Sequence, residues 1–255
     1  MNGAVQRLFS LRGRTALVTG ARTGIGRAIA NGLASAGADL VLLGRGGDLS
    51  EMAEEIRGHG VSARSLLVDL SDVDGVQREV GALLADQEID VLVNNAGTIH
   101  RQAAVDVPLA DWRRVVSVNL DSVFALCQLA GRQMVARGSG KIVNIASLLS
   151  FQGGILVPAY TASKHAVAGL TSALANEWAA HGVQVNAIAP GYISTSNTAA
   201  LRADPAREPA IRARIPAGRW GDPEDLVGAA VFLASPASDY VNGHVLVVDG
   251  GWMGR

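Results

Sequence analysis

The sequence predicts a doubly wound α/β fold, with a parallel sheet of about seven strands and helices on both faces. Three observations carry that prediction. Short apolar runs of strand length alternate with longer amphipathic runs along the chain. The first apolar run opens directly onto a glycine-rich turn and a helix. The 255 residues, 49% hydrophobic and 18% charged, suit a single domain spanning 1–255.

Taken in order, Thr15–Thr19 (Thr-Ala-Leu-Val-Thr) reads as a strand buried on both faces. Gly20-Ala21-Arg22-Thr23-Gly24-Ile25-Gly26 follows, and residues 27–36 read as helix. Gly20 would permit the tight turn, Gly24 would let backbone approach a pyrophosphate, and Gly26 would allow close helix packing. Free N–H groups at the helix start would face phosphates. Residues 39–43 are the second strand. An acidic residue at its end would select NAD through the ribose 2′-hydroxyl. Here Gly44-Arg45-Gly46-Gly47 stands instead. Arg45 would pair with a 2′-phosphate or stack on adenine, and Arg22 is a second phosphate partner. Local chemistry thus leaves NAD and NADP both open.

Residues 51–59 read as helix and 65–68 as strand. Asp69-Leu70 follows at the carboxyl end of that strand, where ligands gather. Asp69 would bind the adenine amino group or serve as an N-cap. Residues 73–84 form another amphipathic helix. Strand 90–93 ends in Asn94-Asn95-Ala96-Gly97. A long helix is expected over 111–137, with Asp111 as N-cap and Asn119 in its middle. Residues 141–146 are the fifth strand, 147–158 a loop, 160–180 a helix, and 183–188 the sixth strand ending at Ala189-Pro190-Gly191. Residues 226–234 are helical, 244–248 are the last strand, and the tail 249–255 has no helix pattern.

Tyr160-Thr-Ala-Ser-Lys164 opens the helix at 160. A spacing of four puts Tyr160 and Lys164 on one face, about one turn apart. A phenol with a free pKa of about 10 is a poor base at neutral pH. A nearby Lys⁺ would favour the phenolate and let Tyr160 exchange a proton with an alcohol or ketone. Ser147, at the end of the fifth strand, would hold the same substrate oxygen.

The net charge of −1 and the lack of a long basic run argue against nucleic acid and acidic membrane surfaces as partners. No apolar run reaches the roughly 18 residues needed to span a bilayer, and the start has no secretory pattern. A cytoplasmic protein is expected. The single cysteine, Cys127, excludes an intrachain disulfide and reads as a buried small hydrophobe. His59, His100, His165, His181 and His244 make no metal-binding pair, so no metal is assigned.

The ordered set Thr19-Gly20-x3-Gly24-Ile25-Gly26, Asn94-Asn95-Ala96-Gly97, Asn119, Ser147, Tyr160-x3-Lys164 and Pro190-Gly191-x3-Thr195 resembles the short-chain dehydrogenase/reductase family over nearly the whole chain. The resemblance implies a nicotinamide-dependent oxidoreductase with Tyr160 as acid/base and Ser147 orienting the substrate. It implies that Lys164 lowers the Tyr160 pKa and holds the nicotinamide ribose, while Asn119 holds a relay water. Ile193 and Thr195 would contact the carboxamide, and Asn95 would steady the central strand beside the cofactor. Residues 147–154, 175–179, 214–221, 238–243 and 248–252 are similar to a subgroup acting on deoxy sugar acids such as 2-dehydro-3-deoxy-D-gluconate. Members of that subgroup usually take NAD, and Arg45 keeps NADP in play.

A sugar acid needs a cation for its carboxylate. Arg101, Arg202 and Arg219 are candidates, and Gln152 would bond hydroxyls. The polar stretch 194–215, with Pro205 and Pro209, is expected to be a mobile lid. The resemblance also implies a homotetramer, with helices 111–137 and 160–180 paired across a two-fold axis and the tail at subunit contacts. Two alternatives are reduction of a 3-oxoacyl thioester on NADPH, and a non-catalytic binding protein on the same fold. The latter is disfavoured because Asn119, Ser147, Tyr160 and Lys164 are all present.

Overall fold

The apolar runs pair into one parallel sheet whose strand order sets where a ligand can sit. The computed structural model describes residues 3–255. In chain order the main elements are α1 (Gly3–Leu8), β1 (Thr15–Thr19), α2 (Gly24–Ser35), β2 (Asp39–Gly44), α3 (Ser50–Arg57), β3 (Ala63–Leu67), α4 (Val73–Asp86) and β4 (Val91–Asn94). Then come α5 (Leu109–Val116), α6 (Ser122–Arg137), β5 (Gly140–Ile145), α7 (Pro158–Trp178) and β6 (Val183–Pro190). The chain closes with α8 (Ala199–Arg202), α9 (Arg207–Arg214), α10 (Val227–Ala234) and β7 (Val245–Val248).

The sheet order is β3-β2-β1-β4-β5-β6-β7. The order reverses between β1 and β4, and the crevice beyond their carboxyl ends is the switch point where such sheets bind ligands. Alternating residues feed two cores. Ala16, Val18, Leu40 and Leu42 pack with Ile29, Leu33, Met52 and Leu233 on one face. Leu17, Val41 and Leu43 pack with Val76, Val80, Leu126 and Leu174 on the other. Burial on both faces is why these strands read as continuous apolar runs. Edge strand β3 is the exception, with Arg64, Ser65 and Leu67 exposed.

Two expectations change. The helix expected over 111–137 is two helices, α5 and α6, joined by a π-helical turn at Ser117–Asp121 that contains Asn119. Asp111 is not the N-cap of α5; Pro108 holds that position, and Asp111 accepts a 2.8 Å bond from Arg114 within the first turn. The tail folds back on its own chain: Trp252 is buried with Leu148, Ile211, Ile215 and Trp220. Helix α1 and the short helices α8 and α9 had no clear sequence signal. Cys127 is fully buried and bonded to Asn94 Nδ2 at 3.2 Å, and desolvation pushes its thiol up to about 12. No helix of the described residues is long and apolar enough to cross a membrane.

Candidate active site

Thr19, at the end of β1, holds the switch point together. Its buried hydroxyl accepts from the backbone N–H of Asn95 at 3.0 Å and of Ala96 at 2.9 Å. Asn95 Nδ2 donates to the carbonyls of Thr19 at 2.9 Å and Gly20 at 3.3 Å. The glycine turn is therefore bolted to the start of the Asn95-Ala96-Gly97 turn. A Cβ on Gly26 would run into Gly20 O and Asn95 Nδ2, which is why this position has no side chain. Gly20 and Gly24 take φ of 66° and 56°, a region closed to most side chains.

The same turn fits a pyrophosphate. The N-terminus of α2 carries no side-chain cap from Thr23, so its first N–H groups remain available to an anion. Ile25 packs on the core behind it. A Cβ on Gly24 would lie 3.3 Å from Thr195 Cγ2, so the far segment meets the phosphate turn. Arg22 and Arg45 are both exposed. A Cβ on Gly47 would lie 2.9 Å from Arg22 Nη1, so the loops after β1 and β2 touch. Asp69 joins this rim. Its Oδ1 accepts from Ser71 N at 2.9 Å and Oγ at 2.8 Å, and these bonds, with the Arg45 charge, hold its carboxyl low. That makes Asp69 a turn residue, with Leu70 buried beside it.

Beyond Gly97 lies the chemical centre. A Cβ on Gly97 would stand 3.5 Å from Asn119 Oδ1 and 3.9 Å from Lys164 Nζ. Asn119 is fully buried and braced: Thr98 N donates to Oδ1 at 2.8 Å, while Nδ2 donates to Thr98 O at 2.9 Å and Ser163 Oγ at 3.1 Å. Both amide hydrogens are used within the protein, which locks the π turn at this residue. Lys164 Nζ donates to Ile145 O at 2.5 Å and stands 5.6 Å from the Tyr160 ring centroid. Burial lowers its pKa from 10.5 to about 8. For Tyr160, burial pushes the phenol up, while the Ser147 hydroxyl and the Arg101 charge pull it down. Burial prevails, so the phenol stands above its ordinary value in the protein without ligand. Ser147 Oγ also accepts from Leu149 N at 3.1 Å, which fixes its rotamer.

Pro190 ends β6, and Gly191 is pressed on Asp249, whose Cα a Cβ would meet at 2.6 Å. The Ile193 side chain is buried against Gly221, so it faces the core rather than a ligand. Among the substrate candidates, Arg101 donates to Asn197 O at 2.9 Å, and its charge draws the Tyr160 phenol down against the larger effect of burial. Arg202 donates to Thr195 O at 3.3 Å. Arg219 is committed elsewhere: it grips both oxygens of Asp225 at 2.6 and 2.9 Å and holds that carboxyl down at about 2. A guanidinium forked onto one carboxylate does not offer that fork to another, so Arg219 is a structural residue. Gln152 Oε1 accepts from Trp252 Nε1 at 3.1 Å.

Residues that sequence reasoning passed over include Thr98, Ser163 and Leu156. Leu156 has φ of 67°, the one positive value for a non-glycine among the described residues, and its carbonyl accepts from Gln102 N at 2.9 Å. This strained residue anchors the loop that carries Arg101. A groove of about 540 Å³ along α2, lined by Arg27, Asn31, Glu55 and His59, shares only Gly24 with the site. Among the described residues, no cluster of three or more His, Cys, Asp or Glu could hold a metal ion.

Residues 20–253 match the family model described as enoyl-(acyl carrier protein) reductase. A 2-dehydro-3-deoxy-D-gluconate 5-dehydrogenase from Bacillus subtilis (strain 168) is 58% identical over 253 residues, 99% of this chain and 100% of the relative. The chain belongs to the short-chain dehydrogenase/reductase family. Among solved structures, a candidate NAD(P)-dependent gluconate 5-dehydrogenase from Beutenbergia cavernae, with NADP bound at low occupancy, is 58% identical. It superposes with a TM-score of 0.96 over 97% of this chain and 100% of that one. A gluconate 5-dehydrogenase from Burkholderia cenocepacia J2315, in complex with NADP and tartrate, is 41% identical with a TM-score of 0.93, over 98% and 99% of the two chains. The short-chain dehydrogenase/reductase assignment fits the glycine cradle, the uncapped α2 terminus and the convergence of Ser147, Tyr160 and Lys164.

Proposed function

We propose that this enzyme interconverts a secondary alcohol and a ketone on a deoxy sugar acid, 2-dehydro-3-deoxy-D-gluconate. The observation that carries the reading is Arg101, which donates to Asn197 O at 2.9 Å in the segment beside the site of Ser147, Tyr160 and Lys164, and whose charge favours the Tyr160 phenolate. It offers a carboxylate partner next to an acid/base group. The relatives named above act on sugar acids of this kind.

In oxidation, Ser147 donates to the alcohol oxygen and Tyr160, as phenolate, takes the hydroxyl proton. A nicotinamide cofactor held beside these residues would supply the acceptor for the hydride on the carbinol carbon. In reduction Tyr160 returns the proton to the forming alkoxide. The ammonium of Lys164 has donors beyond the one on Ile145 O and holds the ribose hydroxyls. Gly20, Gly24, Gly26 and the α2 terminus hold the pyrophosphate, with Asn95, Ala96 and Gly97 forming the facing wall. Gly191, backbone near Ile193, and Thr195 close over the nicotinamide end. Arg22 and Arg45 form a rim that accepts a 2′-phosphate, so NADP serves as well as NAD.

Residues 194–215 act as a lid, tied through Asn197 to Arg101. The assembly is a cytoplasmic homotetramer. Phe124 on α6 and Leu109 on α5 are 46% and 67% exposed, apolar surface that a second copy would cover.

The test is the initial rate with 2-dehydro-3-deoxy-D-gluconate, followed by absorbance of the reduced cofactor, with NAD and NADP in parallel. Saturable turnover with either supports the reading. No turnover with either overturns it and favours 3-oxoacyl thioester reduction on NADPH, which the arginine rim also suits.

A further inference from the structure

Gln152 and Trp252 lie 100 residues apart and meet through one hydrogen bond of 3.1 Å, from indole Nε1 to amide Oε1. An indole N–H can only donate. The amide must therefore turn its oxygen to Trp252, since the flipped form would set two donors against each other. That settles the orientation of Gln152 on chemical grounds: its NH2 group faces away from Trp252. Among the described residues Nε2 has no protein partner, and it is not a buried orphan.

Trp252 is itself held on every side. It is 5% exposed, the Arg214 guanidinium stands 3.9 Å from its ring centroid, and Tyr192 packs at 4.7 Å. The ring is buried with Leu148, Ile211, Ile215 and Trp220. Gln152 is tied to the same wall as Ser147. Its N–H donates to Leu148 O at 3.1 Å, within the turn that Ser147 Oγ opens by accepting from Leu149 N.

We propose that Trp252 is a positioning residue. It locks the Gln152 amide so that this wall presents a hydrogen-bond donor, and never an acceptor, to the substrate. The partner is a substrate oxygen acting as acceptor, best the carboxylate or ketone, and a hydroxyl can meet it only through its oxygen. This narrows the expectation that Gln152 bonds hydroxyls to the donor sense, and it rests on the sugar-acid reading above.

The test is steady-state kinetics with 2-dehydro-3-deoxy-D-gluconate on four variants: Gln152→Leu, Gln152→Glu, Trp252→Phe and the double variant Trp252→Phe/Gln152→Leu. Phe keeps an aromatic ring in the cluster and removes only the donor, and melting curves check the fold. Gln152→Leu is expected to raise KM about tenfold with kcat within about twofold, the size of one charge-assisted bond. Gln152→Glu keeps the acceptor for Trp252 but reverses what faces the substrate, so KM rises at least as much. Trp252→Phe raises KM roughly threefold, and the double variant is no worse than Gln152→Leu alone, because the two residues act as one unit. Wild-type KM in Gln152→Glu would overturn the donor assignment. Multiplying effects in the double variant would overturn the lock. Either result leaves the wild-type rate, and with it the sugar-acid reading, standing; a wild-type enzyme inactive on this substrate overturns both.

Discussion

At the cofactor end, Gly26 is pressed on Gly20 O and Asn95 Nδ2, and Thr19 ties two turns together with bonds of 2.9 to 3.0 Å inside a buried core. At the substrate end, the segment 194–215 is held by exposed arginines on backbone carbonyls, Arg101 on Asn197 at 2.9 Å and Arg202 on Thr195 at 3.3 Å. Apolar anchoring there comes from Ile211 and Ile215 against Trp220 and Trp252. The first region recognises a constant ligand and has no freedom to adapt. On the function proposed above, the second would meet a variable ligand through long side chains on a segment tethered mainly by exposed arginines, the kind of material from which lids are made.

The contrast predicts where each substitution acts. The largest effect belongs to neither end but to the centre. Tyr160→Phe removes the proton carrier and is expected to lower kcat by about 10³-fold, within the range of general acid–base catalysis, with cofactor affinity unchanged by calorimetry. Activity within tenfold of wild type would sink the assignment.

Gly26→Ala probes the rigid end. The added methyl meets backbone that cannot yield, so overpacking costs about 1–3 kcal/mol and cofactor KM rises by roughly 100-fold. Scanning calorimetry and rates at varied cofactor check it; an unchanged melting temperature would mean that the turn is as pliable as the lid.

Arg101→Ala and Arg219→Ala form a pair at the adaptable end. Arg101→Ala is expected to raise substrate KM about tenfold, because a carboxylate partner and the Asn197 tether vanish together. Arg219→Ala removes an exposed ion pair and leaves KM within about twofold. The reverse ranking would return Arg219 to the substrate.

The last effect is read in stability rather than in rate. Lys164 has its pKa depressed from 10.5 to about 8 by burial, so between those values the unfolded state binds more protons. Stability from this group therefore rises with pH through that window, and its cost is fully present below pH 8. The depression is worth on the order of 3 kcal/mol at neutral pH. Lys164→Met, though inactive, is expected to melt higher than wild type at pH 7 and to lose that advantage as pH rises towards 10. An equal gap at both pH values would show that burial is not what shifts Lys164.

The strands and the glycine turn were legible because their signals are local. Thr15–Thr19 matches β1 residue for residue, and continuous apolar character follows from a strand covered on both faces. The Tyr160–Lys164 pair was legible from helical spacing, and α7 does carry both. The break in the helix over 111–137 was not, because the π turn at Asn119 is held by Thr98 and Ser163, partners 21 and 44 residues away.

From sequence alone came the parallel sheet, the glycine turn and the placing of Tyr160 and Lys164 on one helix, since each depends on periodicity, glycine stereochemistry or a spacing of a few residues. Only the tertiary structure decided that Arg101 ties to Asn197, that Arg219 is spent on Asp225, and that burial lowers Lys164 and raises Tyr160. Those outcomes depend on which distant side chains packing brings within hydrogen-bond reach, and on how much water it removes, and neither quantity is written in the order of neighbouring residues.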